Sequence, residues 1–267
     1  MGLPLFLVDA FTDRPFAGNP AAVCLLEHWP DAQWLQNVAA EMQQSETAFL
    51  LKEGDHFALR WFTPKVEVDL CGHATLASAH VLWQQRLAEP SDVIHFSTRS
   101  GILKAAQSQN EIELDFPLRA AQTADAPADL LPALGVAARS VGKNQFDYLI
   151  EVESEAVLRQ MTPDFKRLAT LPVRGTIVTS RSSDARFDFL SRFFAPAAGI
   201  DEDPVTGSAH CCLGAYWQKR LGKSEFLAYQ ASPRGGIVRV RVAGERVILG
   251  GTAVTVTAGE LVRNEEG

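Results

Sequence analysis

A weak internal repeat constrains this chain more than any other feature of its sequence. Residues 60–64 read RWFTP and residues 192–196 read RFFAP. A second match follows each copy: Gly-His-Ala-Thr begins at Gly72 and Gly-Ser-Ala-His at Gly207, 8 and 11 residues after the respective prolines. Two matches at nearly the same offset, in a chain of 267 residues, indicate that the chain consists of two related halves.

Each copy of the repeat predicts the same order of structure. A β-rich segment ends at the proline, a short acidic loop follows, and a helix of small residues begins at Gly72 or Gly207. Both helices are apolar on most sides, so we expect each to be the buried axis of its half. Alternating apolar residues predict strands around them, in the segments HFALRWF, VIHFST, EIELDF, GTIVTS, FDFLSRFF, GIVRVRV and AVTVTA.

These patterns predict an α+β fold with two pseudo-symmetric halves. We place the halves at residues 1–118 and 119–267, and the last strand is free to return to the N-terminal half. The segment 117–133 is rich in proline and alanine, which is typical of a linker.

Composition excludes two classes of binding protein. The chain is 46% hydrophobic, enough for the cores of two domains of about 130 residues each. Its net charge is -7 and its 25 Lys and Arg residues are scattered, without the basic patch of a nucleic-acid binder. No stretch approaches the roughly 20 apolar residues that span a bilayer. We therefore expect no nucleic-acid and no membrane partner.

The cysteines and the N-terminus favour a cytoplasmic protein. The N-terminal MGLPLFLVDAF lacks a basic lead and predicts a first strand rather than a signal peptide. Four cysteines without a Cys-x-x-Cys motif indicate free thiols in a reducing compartment.

The two predicted helix starts suit a small anionic substrate. A helix N-terminus presents unpaired N–H groups and a partial positive charge, and glycine lets a ligand approach the backbone. If a pseudo-twofold axis relates the halves, Gly72 and Gly207 can face each other across a cleft that stabilises enolate-like charge. The alternative is that these glycines only permit close packing of helix on strand.

Three side chains near the helix starts are candidates for acid–base chemistry. Glu46 begins an otherwise apolar run, where desolvation would raise the pKa of the carboxyl group toward the useful range, although a surface carboxylate is the alternative. Asp203 ends the acidic run 201–203, whose members either raise one another's pKa or cap the helix. His73 can relay a proton or serve only a structural role.

Motifs for cofactors are absent from the sequence. Cys71, His73 and His80 lack the spacing of a specific metal site, so no metal is predicted. The sequence contains no Gly-x-Gly-x-x-Gly motif after a strand and no phosphate-binding Gly-x-x-x-x-Gly-Lys-Ser/Thr loop. It also contains no Gly-x-Ser-x-Gly elbow.

Four motifs taken together resemble the PhzF family, the phenazine-biosynthesis isomerases with the diaminopimelate-epimerase fold. They are FAGNPAAV at 16–23, SETAF at 45–49, LCGHAT at 70–75 and DPVTGSA at 203–209. The resemblance implies that each half is a barrel-like, mostly antiparallel sheet wrapped around a central helix, with the site between the halves. It also implies that there is no metal, pyridoxal phosphate or nucleotide cofactor, and that the protein is a homodimer.

The resemblance also implies roles for particular residues. In the isomerase that names the family, a glutamate shuttles a proton on a dihydro-hydroxyanthranilate, and that glutamate corresponds to Glu46 here. The expected catalytic residues are Glu46, His73 and Asp203. The expected substrate-binding residues are Asn19, Ser45, Gly72, Ala74, Gly207 and Ser208.

Two other functions stay open at this point. Epimerases of the same fold use two cysteines as bases, but only Cys71 lies near a helix start here, because Cys211 and Cys212 fall inside the second helix. We therefore favour proton transfer by Glu46 over a two-base epimerase or racemase that uses Cys71. The second alternative is a non-catalytic protein that binds a metabolite or a protein partner.

Overall fold

The computed structural model describes residues 2–262, in which two long helices lie among many short strands. The strands are β1 (Leu3–Ala10), β2 (Asn19–Leu26), β3 (Glu46–Glu53), β4 (His56–Phe62), β5 (Glu67–Val68), β6 (Ile94–Thr98), β7 (Gly101–Ser108), β8 (Glu111–Pro117), β9 (Gln122–Thr123), β10 (Ser140–Lys143), β11 (Asp147–Glu151), β12 (Gly175–Arg181), β13 (Phe189–Ala195), β14 (Ile200–Asp203), β15 (Glu225–Gln230), β16 (Gly236–Ala243), β17 (Arg246–Gly251) and β18 (Ala253–Leu261). The helices are α1 (Ala32–Met42), α2 (Gly72–Gln84), α3 (Leu130–Leu134), α4 (Glu155–Gln160), α5 (Phe165–Leu168) and α6 (Gly207–Leu221), with a 3-10 turn at Pro196–Ala198. Every segment predicted as a strand lies wholly or largely in one.

The chain divides into two compact units. The first runs from the N-terminus to Asp115 and resumes at Gly250, and the second is Phe116–Leu249. The first unit takes up the end of the chain because β18 pairs antiparallel with β1. The segment 117–133, predicted as a linker, instead contains β9 and the start of α3. The Leu118 N–H donates to the carbonyl of Glu245, so this segment belongs to the folded second unit.

The two units share one arrangement of strands. In the first, β2 is parallel to β3, β3 antiparallel to β4, β4 parallel to β6, and β6 antiparallel to β7. In the second, β11 is parallel to β12, β12 antiparallel to β13, β13 parallel to β15, and β15 antiparallel to β16. In each unit the longest helix, α2 or α6, follows the third strand of this series. The predicted duplication and the α+β fold class are confirmed.

The two long helices are the buried axes of their units, as predicted. In α2 every residue except Gly72, His80 and Gln84 is buried, and the helix packs against β1, β2, β3 and β18. Helix α6 packs against β16. Gly214 allows this packing, since a Cβ there would lie 3.0 Å from the Cγ1 of Val240. Each fully buried Leu or Val in such a helix contributes roughly 1.5–3 kcal/mol of hydrophobic stabilisation.

Within residues 2–262, no helix combines the length and the apolar character needed to cross a membrane.

Candidate active site

Three elements of the first unit begin next to one another and bring predicted site residues together. Asn19 is the first residue of β2, Glu46 is the first of β3, and His73 is the second of α2. Strands β2 and β3 run parallel with Ala21 opposite Glu46, so both strands begin at the same edge. The Oε2 of Glu46 lies 3.1 Å from the Nε2 of His73. The Nδ2 of Asn19 lies 3.1 Å from the Nδ1 of His73.

Two further residues complete this group, which we call the Glu46 cluster: Asn19, Ser45, Glu46, Cys71 and His73. The Ser45 hydroxyl donates to the Oδ1 of Asn19 at 3.3 Å. The Sγ of Cys71 lies 3.5 Å from the Nδ1 of His73. Of the remaining residues predicted for this unit, Gly72 is the first residue of α2. The side chain of Ala74 is fully buried. The structure thus brings four predicted side chains and one alternative base into a single cluster.

Glu46 carries an acceptor atom that no described donor satisfies. Its side chain is only 13% exposed, so the surface-carboxylate alternative is wrong. The Oε2 atom is buried, and no described group meets hydrogen-bond geometry with it, although His73 is close. A buried acceptor without a donor costs free energy, and such atoms are rare except where function requires them.

The charge of Glu46 affects both ionisable neighbours. Burial raises the pKa of the Cys71 thiol to about 11, and the Glu46 carboxylate adds to this effect. Cys71 therefore keeps its proton at neutral pH. Burial opposes a charge on His73, but the neighbouring Cys71 and Glu46 raise the pKa of the imidazole well above its usual value. Because Cys71 is a neutral thiol, the negative charge that raises the pKa of His73 is that of the Glu46 carboxylate.

Asn19 can serve His73 in either protonation state. Its amide nitrogen donates to a neutral Nδ1, and after a half-turn of the amide its oxygen accepts from a protonated Nδ1. Gly18 fixes its position, because the residue has φ +65 and a Cβ there would lie 2.1 Å from the carbonyl oxygen of Ala10. The backbone N–H of Phe16 donates to the Oδ2 of Asp9 at 2.7 Å and holds the same turn.

The starts of the two long helices lack side-chain caps. The N-cap residues Cys71 and Thr206 make no side-chain hydrogen bond to their helices, and neither first turn contains an acidic residue. The peripheral helices α1, α4 and α5 are instead capped by Asp31, Ser154 and Asp164. The central helix starts therefore have no acidic side chain in their first turns to offset the positive potential of the helix N-terminus.

The acidic run 201–203 lies in the short strand β14 rather than in the predicted loop. The hydroxyl of Thr206 donates to the Oδ2 of Asp203 at 2.5 Å. The fully buried Gln230 donates to the carbonyl of Asp203 at 2.7 Å and accepts from the N–H of Thr206 at 2.8 Å. Asp203 is thus held in place just before Gly207, the first residue of α6.

Ser208 lies beside an arginine that sequence reasoning missed. The Nη2 of Arg174 donates to the Ser208 hydroxyl at 3.0 Å, and the same guanidinium forms two hydrogen bonds with the buried Asp147. Burial raises the pKa of the Asp147 carboxyl group, and Arg174 opposes that rise. The sequence signal was available, since Asp147 begins an apolar strand just as Glu46 does.

The cysteines of the second unit lie away from the α6 start. Cys211 and Cys212 are buried inside the helix, and burial raises the pKa of both thiols to about 12. At the helix start itself the N-cap residue is Thr206. The expected cleft between the Gly72 and Gly207 helix starts stays a prediction.

One group of side chains in the described residues could ligate a metal ion. Ligand atoms of Glu46, Cys71 and His73 all lie within 4.8 Å of one another. His80, the third residue of the sequence-based candidate, instead places its Nε2 3.0 Å from the hydroxyl of Thr255 in β18.

Comparison with known proteins gives consistent matches over the chain. The family model described as phenazine biosynthesis-like protein matches residues 8–259. A Halalkalibacterium halodurans protein described as an uncharacterized isomerase is 53% identical over 263 residues, covering 98% of this chain and 99% of that protein. The crystal structure of a PhzF-family phenazine biosynthesis protein from Enterococcus faecalis superposes with a TM-score of 0.94 at 42% identity, over 98% of this chain and 100% of that one. A probable proline racemase from Agrobacterium radiobacter K84 shares the fold, with a TM-score of 0.64 at 13% identity over 99% of this chain and 94% of that one.

Proposed function

The chain belongs to the phenazine biosynthesis-like, or PhzF, family, and from this premise we propose that it is an isomerase that moves a proton on a small carboxylate substrate. Glu46 is the general base, and the reaction uses no cofactor. The description of the Halalkalibacterium relative as an isomerase supports the class of reaction. The observation that carries the role of Glu46 is its nearly buried carboxylate, 13% exposed, whose Oε2 lies 3.1 Å from the Nε2 of His73.

The proposed proton transfer takes place at the Glu46 cluster. The Glu46 carboxylate takes a proton from a carbon next to a carbonyl or unsaturated group, and the C–H electron pair moves into that π-system. The carboxylic acid then returns the proton to a different carbon, which restores the carboxylate. His73 stabilises the carboxylate form, while Asn19 orients the imidazole. General acid–base catalysis of this kind contributes about 10²–10⁴-fold to the rate.

The helix starts support an anionic substrate. The α2 and α6 starts lack side-chain caps, and Arg174 adds positive charge beside Ser208. Backbone N–H groups at Gly72 and Gly207 would bind substrate oxygens, and Asp203 would be a supporting polar residue. Oriented donors of this type are worth about 2.7–4 kcal/mol each when they stabilise a developing oxyanion.

Replacing Glu46 tests the proposal directly. A thermal-shift screen of small carboxylates first identifies ligands, because a ligand at a hundred times its Kd adds about 2.7 kcal/mol of stability. Deuterium incorporation from deuterated water into those ligands then measures turnover by NMR. We expect E46Q to lower the exchange rate at least about 100-fold while ligand binding persists, because the amide keeps the shape but cannot take a proton.

The matched control is E53Q at the other end of β3, where the side chain is exposed. It should leave both exchange and binding unchanged. Exchange by E46Q at the wild-type rate would show that another group is the base.

Cys71 remains the base of the alternative epimerase, and the structure disfavours it. The thiol pKa is about 11, and the thiols of the second unit are buried within α6. Under our proposal C71S lowers exchange far less than E46Q does. Under the epimerase alternative the order is reversed, and for a non-catalytic binding protein neither the wild type nor any variant exchanges deuterium. The homodimer and the cytoplasmic location remain predictions.

A further inference from the structure

The Glu46 cluster combines three kinds of metal ligand in one buried place. A carboxylate oxygen, a thiol sulfur and an imidazole nitrogen lie within 4.8 Å of one another. The separation of Glu46 Oε2 and His73 Nε2 is 3.1 Å, and that of Cys71 Sγ and the same nitrogen is 3.9 Å. Tetrahedral zinc with ordinary bond lengths separates such N and O ligands by about 3.3 Å and N and S ligands by about 3.6 Å.

A small side-chain movement would complete this geometry. The Sγ of Cys71 now lies nearer the Nδ1 of His73, at 3.5 Å, than the Nε2 that faces Glu46. A metal on Nε2 therefore requires the Cys71 side chain to bring its sulfur closer to Nε2 than the present 3.9 Å. The three residues stand at or next to the first residues of β3 and α2.

The charges also fit a divalent cation. A bound metal deprotonates a thiol ligand and binds a neutral imidazole, so Cys71 loses its thiol proton to solvent and a protonated His73 loses one ring proton as well. The thiolate, the Glu46 carboxylate, a neutral His73 and a dication then sum to zero charge, which a buried site tolerates best. The metal would also satisfy the Oε2 of Glu46, which has no described hydrogen-bond donor.

Asn19 is placed to support His73 as a ligand. Metal-bound histidines usually donate their second ring N–H to an acceptor that fixes the ring. With the metal on Nε2, the proton sits on Nδ1, where the Asn19 amide is 3.1 Å away and can present its oxygen after a half-turn. The Ser45 hydroxyl, 3.3 Å from that amide, can then accept from its nitrogen.

From these contacts we infer that Glu46, Cys71 and His73 bind a divalent cation of the zinc type, with a fourth coordination position left open. The thiolate and imidazole ligands favour zinc over the oxygen-seeking magnesium and calcium. The metal is an inhibitor rather than a cofactor, because it binds the carboxylate that takes the proton and lowers its basicity. That inhibition rests on the proposed function, whereas metal binding does not and can be measured without a substrate.

Cobalt(II) tests the site as a coloured stand-in for zinc. We expect the full-length metal-stripped protein to bind one cobalt per chain, with intense visible bands of tetrahedral coordination and a near-ultraviolet thiolate-to-cobalt band. Zinc should bleach both. C71S should lose the near-ultraviolet band. E46Q should keep that band but bind cobalt more than about 10-fold more weakly, because loss of even a group that only supports a ligand lowers metal affinity by at least about 10-fold.

C24A is the matched control, since Cys24 is a buried cysteine of β2 outside the cluster. It should retain the spectrum of the wild type. Mass spectrometry of wild-type protein gives an independent reading, because zinc should protect Cys71 from iodoacetamide without any substitution. Any one of three results would overturn the assignment: the wild type shows no thiolate band, the band survives in C71S, or zinc does not slow the alkylation of Cys71.

Discussion

Gly18 and Gly54 share a left-handed backbone but differ in their surroundings. Both have φ +65. A Cβ at Gly18 would lie 2.1 Å from the Ala10 carbonyl oxygen, whereas nothing lies within 4 Å of one at Gly54. The two positions therefore separate the cost of the backbone conformation from the cost of a steric clash next to Asn19.

We expect G54A to lower the free energy of unfolding by about 1–2 kcal/mol, the cost of the left-handed conformation for an alanine. G18A should cost more than twice as much, because the backbone at Ala10 must also shift. Urea unfolding of both variants measures the difference. Equal losses in the two variants would mean that the Gly18 turn relaxes freely and does not hold Asn19 in place.

His210 makes the second unit sensitive to acid. It is fully buried in α6, its Nδ1 lies 2.8 Å from the carbonyl oxygen of Thr206, and its Nε2 has no described partner. Burial lowers the pKa of the imidazole to about 4, while its hydrogen bond to Thr206 opposes the shift. Between about pH 6.5 and pH 4 the unfolded chain therefore binds a proton that the folded chain does not.

The contribution of His210 is favourable above pH 6.5 and decreases as the pH falls toward 4, by about 3 kcal/mol in total. We expect H210Q, whose amide can still donate to Thr206, to lose less stability than the wild type between pH 7 and pH 5. Urea unfolding at both pH values gives the comparison. H28Q, at an exposed position, is the control, and an H210Q pH dependence identical to the wild type would contradict the prediction.

At the level of elements, one ion pair recurs in both copies of the repeat. The first arginine of RWFTP, Arg60, forms two hydrogen bonds with Glu67 of β5. The first arginine of RFFAP, Arg192, does the same with Glu202 of β14. Each pair ties the short strand before a long helix to the strand that precedes it. The acidic segments thus position the helix starts by folding back onto the repeat.

Breaking the second pair should destabilise the protein far more than breaking an exposed one. Arg192 and Glu202 are nearly buried, so E202Q leaves a charged guanidinium without its counter-ion, and we expect a loss of about 3–5 kcal/mol. D184N removes the partner of the exposed Arg186, where solvent screens the pair, and should lower the stability far less. Urea unfolding distinguishes them, and similar values for the two variants would refute this role.

At the level of the whole molecule, the first unit combines strands that lie far apart in the sequence. Strand β18 pairs with β1 from Leu3–Leu261 to Ala10–Ala253, and β1 also pairs with β2. Strand β1 therefore lies between β18 and the strand that begins with Asn19. The Glu46 cluster belongs to a unit that is complete only after the C-terminal residues have been synthesised.

A chain that ends at residue 249 should lose the order of its first unit. Without β18, one edge of β1 has unpaired N–H and C=O groups, and such an edge favours aggregation. We expect the backbone amides of β1 and β2 to exchange hydrogen more rapidly in the shortened chain than in the full-length protein. Unchanged protection of β1 in the shortened chain would show that β18 contributes little.

The sequence alone predicted several of the strands, both long helices and the position of the candidate residues along them. Strands such as β4 and β16 follow their alternating apolar patterns, and both long helices begin at the predicted glycines, because these signals are local. The repeat also predicted two units of one topology. The position of Glu46 at the start of an apolar run made it a candidate, with a surface carboxylate as the alternative, and the resemblance to the PhzF family implied its role.

Only the tertiary structure decided which atoms meet. Glu46 faces His73 because β3 and α2 begin side by side, and residues 27 positions apart carry no local signal of that contact. The same holds for the pairing of β18 with β1, for the Arg174 contact to Ser208, and for the protonated state of Cys71. Desolvation and side-chain geometry depend on elements distant in the chain, so no local pattern of residues could predict them.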